Sequence, residues 1–495
     1  MERPVRLRHY IAYGLGDFLG GGSFAIIGTL FLFFMTEVVG ILPVYAGLLY
    51  FISKLWDAVS DPLMGYISDR TRSRFGRRRI YFLICMVPIG IFFALLWIPV
   101  NWQGQGFLFW WYLFVFMGFS TFYTILMVPY TALNAEMSLD YKVRARLSGF
   151  KQIGSGLSGA LCSVASKPLI DSFPDPRTGF TVMGLIFGLF FSLPWVAVFF
   201  GTWEIPRRHR EVEKQNLVRI FQHFFSVFKN RSFRIHLGMY VSGFAGLDVA
   251  MSLFIIFLTH YLLRENYFPY LMAALALAQG LFLPIHITTG NRYGQGRAYL
   301  LGSILFLAGM LYAATLAPGP TLPLMLAAAA ILGSGMCGLS VMPWVILPSV
   351  TDVDELITAE KRAGLYSGMM TLLRKATNAL VIFLVGAALN RVGYVPGQVQ
   401  GIETANGLRY LFLIAPAACV FIGLLFSLKF KITPQTHKVI RSEIDRLEGG
   451  GSKEQACADT QRICEELTGI PYAMLYRPHS SKEIYSAGHG TDSPA

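Results

Sequence analysis

Stretches of roughly 20 apolar residues, the length a helix needs to cross a bilayer, recur about twelve times along this chain. They begin near Ile11, Ile41, Ile80, Phe107, Leu147, Phe180, Phe233, Phe268, Ala298, Leu322, Gly364 and Leu408. A chain so patterned is expected to be an all-α integral membrane protein with twelve transmembrane helices. Its basic residues cluster in alternate short loops, with Arg70, Arg72, Arg74, Arg77, Arg78 and Arg79 after the second span and Lys142, Arg144 and Arg146 before the fifth. The positive-inside rule places those loops in the cytoplasm, and an even number of spans puts both termini there too. The formal net charge of +13 is thereby explained by topology, so no nucleic-acid partner is expected. MERPVRLRHY leads into a full-length span rather than a short signal core, so the first span is expected to remain in the mature protein.

The spans fall into two groups of six, residues 1–203 and 232–431, joined by a charged segment at 204–231 and followed by a tail at 432–495. An internal echo supports the division: YISDRTRSRFGRRR follows the second span and HITTGNRYGQGRAY the eighth. Two pseudo-symmetric six-helix halves resemble the plan of the major facilitator superfamily, whose halves rock about a central site. In the joining segment, Ile220, Phe221, Phe224, Phe225 and Phe228 suit either an interfacial helix or a packed linker. In the tail, Ile440, Ile444 and Leu447 mark one helix face, a second short helix fits Asp459 to Leu467, and the last residues read as disorder. A loosely docked cytoplasmic tail is expected.

Charges inside apolar spans are costly and mark candidate sites. Asp57 and Asp61 stand one helical turn apart in the second span, where two carboxylates cannot both stay charged without a compensating cation or a proton. That suits a sodium or proton coupling site, with oxygen ligands added by Ser60 and by Thr124 of the fourth span; a structural ion pair with Lys54 or an arginine is the alternative. Arg374 in the eleventh span is expected to face the cavity, and Lys375, about 100° away on a helix, to pack or snorkel. Asp17 in the first span is a candidate partner for Arg374, or a polar helix contact beside Gly20, Gly21 and Gly22. Asp248 suits a gating contact or a substrate hydrogen bond, while Tyr123, Tyr130, Trp344 and Tyr366 suit stacking on a sugar or helix packing. Two cytoplasmic loops of opposite sign, DRTRSRFGRRR with Asp69, Arg70 and Arg77, and TDVDELITAEKRAG with Asp352, Asp354, Glu355 and Glu360, suggest a gate latch between the halves.

From residue 9 to 431 the chain resembles the glycoside, pentoside, hexuronide and cation symporter family, the melibiose permease group. The resemblance rests on YGLGD with TEVVG, on WDAVSDPLMGYISDRTRSRFGRRR, on YTILMVPYTAL followed by LDYKVRARLSGF, and on LITAEKRAGLYSGMMTLLRKATNAL. It implies that Asp57 and Asp61 bind the coupling sodium, lithium or proton, with Thr124 at the cation-site threonine and Ser60 where the permease has asparagine. The galactoside site is not kept: its two aspartates match Gly21 and Met127, its stacking tryptophan Thr131, its arginine Gln152 and its eleventh-span lysine Arg374. Losing those carboxylates removes hydrogen bonds worth on the order of 1 kcal/mol each, so melibiose itself is not expected.

The implied function is cation-coupled symport of a sugar, glycoside or uronide, or else sodium-coupled transport of an amphipathic organic anion such as a lysophospholipid. The setting is a bacterial inner membrane, the protein a monomer among lipid, with a small-molecule substrate and no cofactor beyond the coupling cation. No GxSxG, Walker or HExxH motif is present, so an enzyme is not expected.

Overall fold

The computed structural model describes residues 5–102, 104–138, 141–204 and 225–476. Twelve long helices form the bundle. The first half holds α1 (Leu7–Val38), α2 (Pro43–Arg70), α3 (Arg79–Leu96), α4 (Gln105–Met137), α5 (Tyr141–Asp171) and α6 (Pro176–Gly201). The second holds α7 (Arg231–Leu262), α8 (Phe268–Tyr293), α9 (Gln295–Ala314), α10 (Leu322–Thr358), α11 (Ala363–Arg391) and α12 (Ile402–Leu428). The expected all-α fold of twelve spans in two halves is what the chain adopts. Most of the joining segment lies outside the described residues.

Among the described residues, ten helices are long and apolar enough to cross a membrane on composition alone. The two that are not, α2 and α5, carry charges inside their spans. Lys54, Asp57 and Asp61 sit on α2, and Lys151 and Lys167 on α5. Protein neighbours cover them: α2 packs on α4 and α11, and α5 on α1 and α8. The polarity that weakens them as lone spans is therefore turned inward, where a charge can find a partner.

The halves meet through α2 with α11, α5 with α8 and α1 with α7. Close approach of α2 and α11 needs glycine, since a Cβ on Gly386 would lie 3.3 Å from the Gly47 Cα. At the end opposite the basic loops, α1 and α7 each finish in a single π turn, Phe34–Val38 and Leu258–Leu262. These turns carry Glu37 and His260, whose side chains meet at 2.9 Å. Glu37 also accepts hydrogen bonds from the Tyr394 hydroxyl and, at 2.8 Å, from the Gly397 amide, and Lys167 reaches Glu265 nearby at 2.8 Å. Among the described residues, the ion pairs at the basic-loop end stay within one half. The bundle is thus tied shut at the outer end.

Charge-assisted hydrogen bonds contribute roughly 1.5–3 kcal/mol each, so Glu37→Gln should loosen this closure. The expected result is a several-fold rise in labelling of a cysteine placed at Ser163, in the cavity wall, by an impermeant reagent added outside. Unchanged labelling would count against a latch at Glu37.

The tail forms α13 (Pro434–Glu448) and α14 (Ala458–Thr468), near the expected positions. Ile440, Ile444 and Leu447 are buried as their spacing required. The docking, however, is firm rather than loose. His437 Nε2 lies 2.7 Å from Asp352, Arg441 donates to Glu355 at 3.1 Å, and the Tyr476 amide donates to the Leu356 carbonyl at 2.8 Å. Burial pushes the Glu443 carboxyl up, but hydrogen bonds from Arg446 and Tyr472 outweigh it and hold the group below the ordinary glutamate range. The final segment, expected to be disordered, lies outside the described residues.

Candidate functional site

Helical spacing brings Lys54, Asp57, Ser60 and Asp61 to one side of α2, facing α4 and α11. Asp57 and Lys54 are 2% and 6% exposed, and the lysine ammonium donates to Asp57 Oδ2 at 2.9 Å while lying over the Phe24 ring. The other oxygen of Asp57, Oδ1, is buried and has no hydrogen-bond partner among the described residues. A buried carboxylate oxygen without a donor is costly, and marks a place where a further cation or proton is favoured. Asp61 is more open. Its Oδ1 accepts from the Thr124 hydroxyl at 2.7 Å, and its Oδ2 pairs with Lys375 of α11. Ser60 Oγ lies 3.4 Å from the Thr124 hydroxyl and from the Asp57 carbonyl. Thus the four expected cation-site residues, Asp57, Ser60, Asp61 and Thr124, share one locus, with a lysine on each carboxylate.

Lys375 is a correction to the expected packing or snorkelling role. It crosses from one half to the other and neutralises Asp61, because an ammonium at that depth is held by the nearest available carboxylate. Arg374 has a different partner from the one expected. Asp248 of α7 takes its two terminal nitrogens at 2.5 and 2.8 Å, and the guanidinium lies 4.5 Å from the Phe244 ring centre. Asp17 stays in the first half, its carboxylate occupying the space that a Cβ on Gly20 would need. Tyr50 of α2 donates to Asn378 of α11, a further tie across the halves. Between them a cavity of about 440 Å³ is lined by Asp248, Gln279 and Asn378 on one side and by Phe24, Gly28 and Gly156 on the other.

The remaining expected substrate residues are spread through both halves. A Cβ on Gly21 would collide with the Ser155 carbonyl, so this position serves the contact of α1 with α5. Met127 is buried beside Gly20. The Thr131 hydroxyl returns to its own helix at the Met127 and Val128 carbonyls, and Gln152 is exposed. Tyr130 is fully buried, stacked on Tyr13 at 4.6 Å and donating to its carbonyl at 2.5 Å, which is packing. Tyr123 meets Phe24 edge-on, as Trp344 meets Tyr240. Tyr366 is buried against Phe233.

The expected latch between cytoplasmic loops is not made in this structure. Asp69 pairs with Arg78 at 2.7 Å, Arg77 with Glu136, and Arg70 covers the Tyr66 ring. Glu204 accepts from the amides of Arg77, Arg78 and Arg79, and Gly76 leaves room for it. In the other half, Asp354 takes Arg362 through both oxygens, and Arg441 bonds to Asp352 and Glu355. The described hydrogen bonds of Glu360 are backbone ones with Thr358. Among the described residues, the ion pairs of these two loops stay within their own halves and none joins one loop to the other.

Glu37, His260, Tyr394 and Asn378 were missed by sequence reasoning. A pairing of intramembrane acids with intramembrane bases would have singled out Lys375 and Asp248. No group of three or more His, Cys, Asp or Glu side chains among the described residues is arranged to hold a metal.

The family described as MFS/sugar transport protein matches residues 12–434. A putative sulfoquinovose importer of Salmonella typhimurium is 27% identical, over 93% of this chain and 97% of its own. An uncharacterized symporter of Synechocystis is 26% identical, over 88% and 96%. Among solved structures, a bacterial homologue of the human lysosomal transporter Spinster, inward-facing and unoccupied, superimposes with a TM-score of 0.61 at 16% identity, covering 88% of this chain and all of the other. These findings correct the narrower resemblance. They support a sugar or solute transporter of the major facilitator fold, not the melibiose permease group in particular. The protein is a multi-pass, secondary-active transporter of a small organic solute rather than an enzyme. With a match running through all twelve helices, the chain belongs to the MFS/sugar transport protein family.

Proposed function

We propose that the protein is a cation-coupled symporter of a sugar, glycoside or uronide, working in a bacterial inner membrane with both termini in the cytoplasm. The observation that carries this reading is the pair Asp57 and Asp61, each held by a lysine, with one buried oxygen of Asp57 left without a donor. Such a site is stable when a cation is present and strained when it is not. Sodium, or a proton, enters among Asp57, Asp61, Ser60 and Thr124 and competes with Lys375 for Asp61. Because Lys375 belongs to the other half, its release loosens a tie between the halves and frees an ammonium for the solute. Arg374, anchored by Asp248, stands beside the same cavity as the second cationic contact. The putative sulfoquinovose importer among the relatives supports a sugar-derived solute.

The test is the melting temperature of purified protein in sodium against potassium, since a ligand of the folded state raises it by mass action. A sodium-dependent rise is expected, and Asp57→Asn and Asp61→Asn should each abolish it. A rise that survives both substitutions would place sodium elsewhere and sink the reading. Absence of any sodium effect, with uptake driven by a pH gradient, would assign the site to protons.

A further inference from the structure

Tyr50, Lys54, Asp57 and Asp61 recur at helical spacing along one stripe of α2. Tyr50 begins the stripe, buried at 3% exposure and packed within the first half on the rings of Phe31 and Phe116, at 6.0 and 5.6 Å. Its hydroxyl reaches out of that half and donates to Asn378 Oδ1 of α11. Among the described residues this is the one hydrogen bond of the Asn378 side chain, so its amide nitrogen remains for the cavity that Asn378 lines. Asn378 also stands one helical turn from both Arg374 and Lys375, the bases held by Asp248 and Asp61.

Lys54 joins this tyrosine to the cation site. Its ammonium holds Asp57 at 2.9 Å while lying 5.6 Å from the centre of the Tyr50 ring and 4.8 Å from that of Phe24, another lining residue of the cavity. Resting on the cation-coupled reading above, we propose that Tyr50 and Asn378 are positioning residues that carry the occupancy of Asp57 to the cavity. A cation arriving at Asp57 takes over part of the carboxylate and repels the Lys54 ammonium, which leans further onto the two rings. A positive charge over a phenol ring draws electron density from its oxygen, so the hydrogen bond that Tyr50 donates strengthens. Asn378 is drawn towards α2, and the amide it presents to the cavity is re-aimed. Because this bond crosses between the halves, its strength also biases how they sit, which is the differential contact that a ligand-driven shift requires.

The test uses the purified full-length protein in lipid nanodiscs, without solute, on a Cys457→Ser background because Cys457 is exposed. Ser163→Cys places a thiol in the cavity wall, and its labelling by an impermeant maleimide is timed in sodium and in potassium. Sodium should change the labelling rate by about 5-fold or more, the low end of ordinary coupling between two sites. Tyr50→Phe keeps the ring and removes the hydroxyl. The sodium concentration giving half the melting shift should then stay within about 2-fold, while the response of labelling to sodium is lost. Asn378→Ala should behave alike, and the double variant should be no worse than either single one, as for two residues acting through one bond. A merely structural role would lower the melting temperature and leave the labelling response intact. A labelling response that survives both substitutions, or a sodium midpoint that moves roughly 10-fold in Tyr50→Phe, overturns this inference and leaves the symporter reading standing. So does a sodium melting shift with no labelling response while Tyr50 and Asn378 are both in place. Absence of any sodium melting shift overturns the sodium reading and this inference with it.

Discussion

Arg374→Ala is expected to destabilise the protein by about 3 kcal/mol and to remove nearly all transport. The substitution leaves Asp248 as an uncompensated charge inside the bundle, and breaking a buried pair by removing one partner costs roughly 3–5 kcal/mol. The lower end applies because the Arg374 side chain is 27% exposed, so water recovers part of the loss. Arg374→Lys keeps the charge but not the two-pronged geometry, and should fall between. The double variant Arg374→Ala with Asp248→Ala removes both charges and should melt close to the parent protein while still failing to transport. Melting temperature and uptake, measured on the same preparations, separate the two effects. A single variant as stable as the parent would show that the pair is not the anchor described here.

Lys375→Met is expected to tighten sodium binding while weakening coupling. The lysine and the cation compete for Asp61, and two unit charges about 4 Å apart interact by about 4 kcal/mol at an effective dielectric of 20. Exposure of 24% for Lys375 and 29% for Asp61 screens part of that. The sodium concentration giving half the melting shift should therefore fall roughly 10- to 30-fold, taking about a third to a half of that energy as realised. Accumulation of solute should nevertheless decline, because cation entry no longer has a tie between the halves to release. Unchanged sodium affinity would mean that Lys375 does not compete at Asp61.

The sequence made the bundle and the α2 carboxylates legible because both signals are local. A span announces itself in about 20 consecutive residues, and Asp57 and Asp61 stand out against an apolar background without any knowledge of neighbours. The partners of those charges were not legible. Lys375 lies 314 residues from Asp61 and Asp248 lies 126 from Arg374, so the pairings depend on how α2, α7 and α11 meet. Adjacent positions on a helix point about 100° apart, which separates Arg374 from Lys375 but does not say which carboxylate each one meets. The cytoplasmic loops misled for a related reason. Opposite charges on two halves suggest attraction, yet Glu136, Glu204 and Arg441 bind several of these loop residues within their own half. The glycine positions were ambiguous too: Gly21 is a packing contact, whereas Gly156 opens a cavity wall, and only the neighbouring helix distinguishes them.

The central claim is that a cation gradient drives the solute through Asp57 and Asp61. It is tested most directly by uptake into proteoliposomes carrying the purified protein, with an inward sodium gradient, an inward proton gradient or neither, over a panel of sugars, glycosides and uronides. At least one solute is expected to accumulate above its external concentration under one of the two gradients. That accumulation should vanish when the gradient is collapsed and be absent in Asp61→Asn. Accumulation that needs no cation gradient, or that persists in Asp61→Asn, would contradict it.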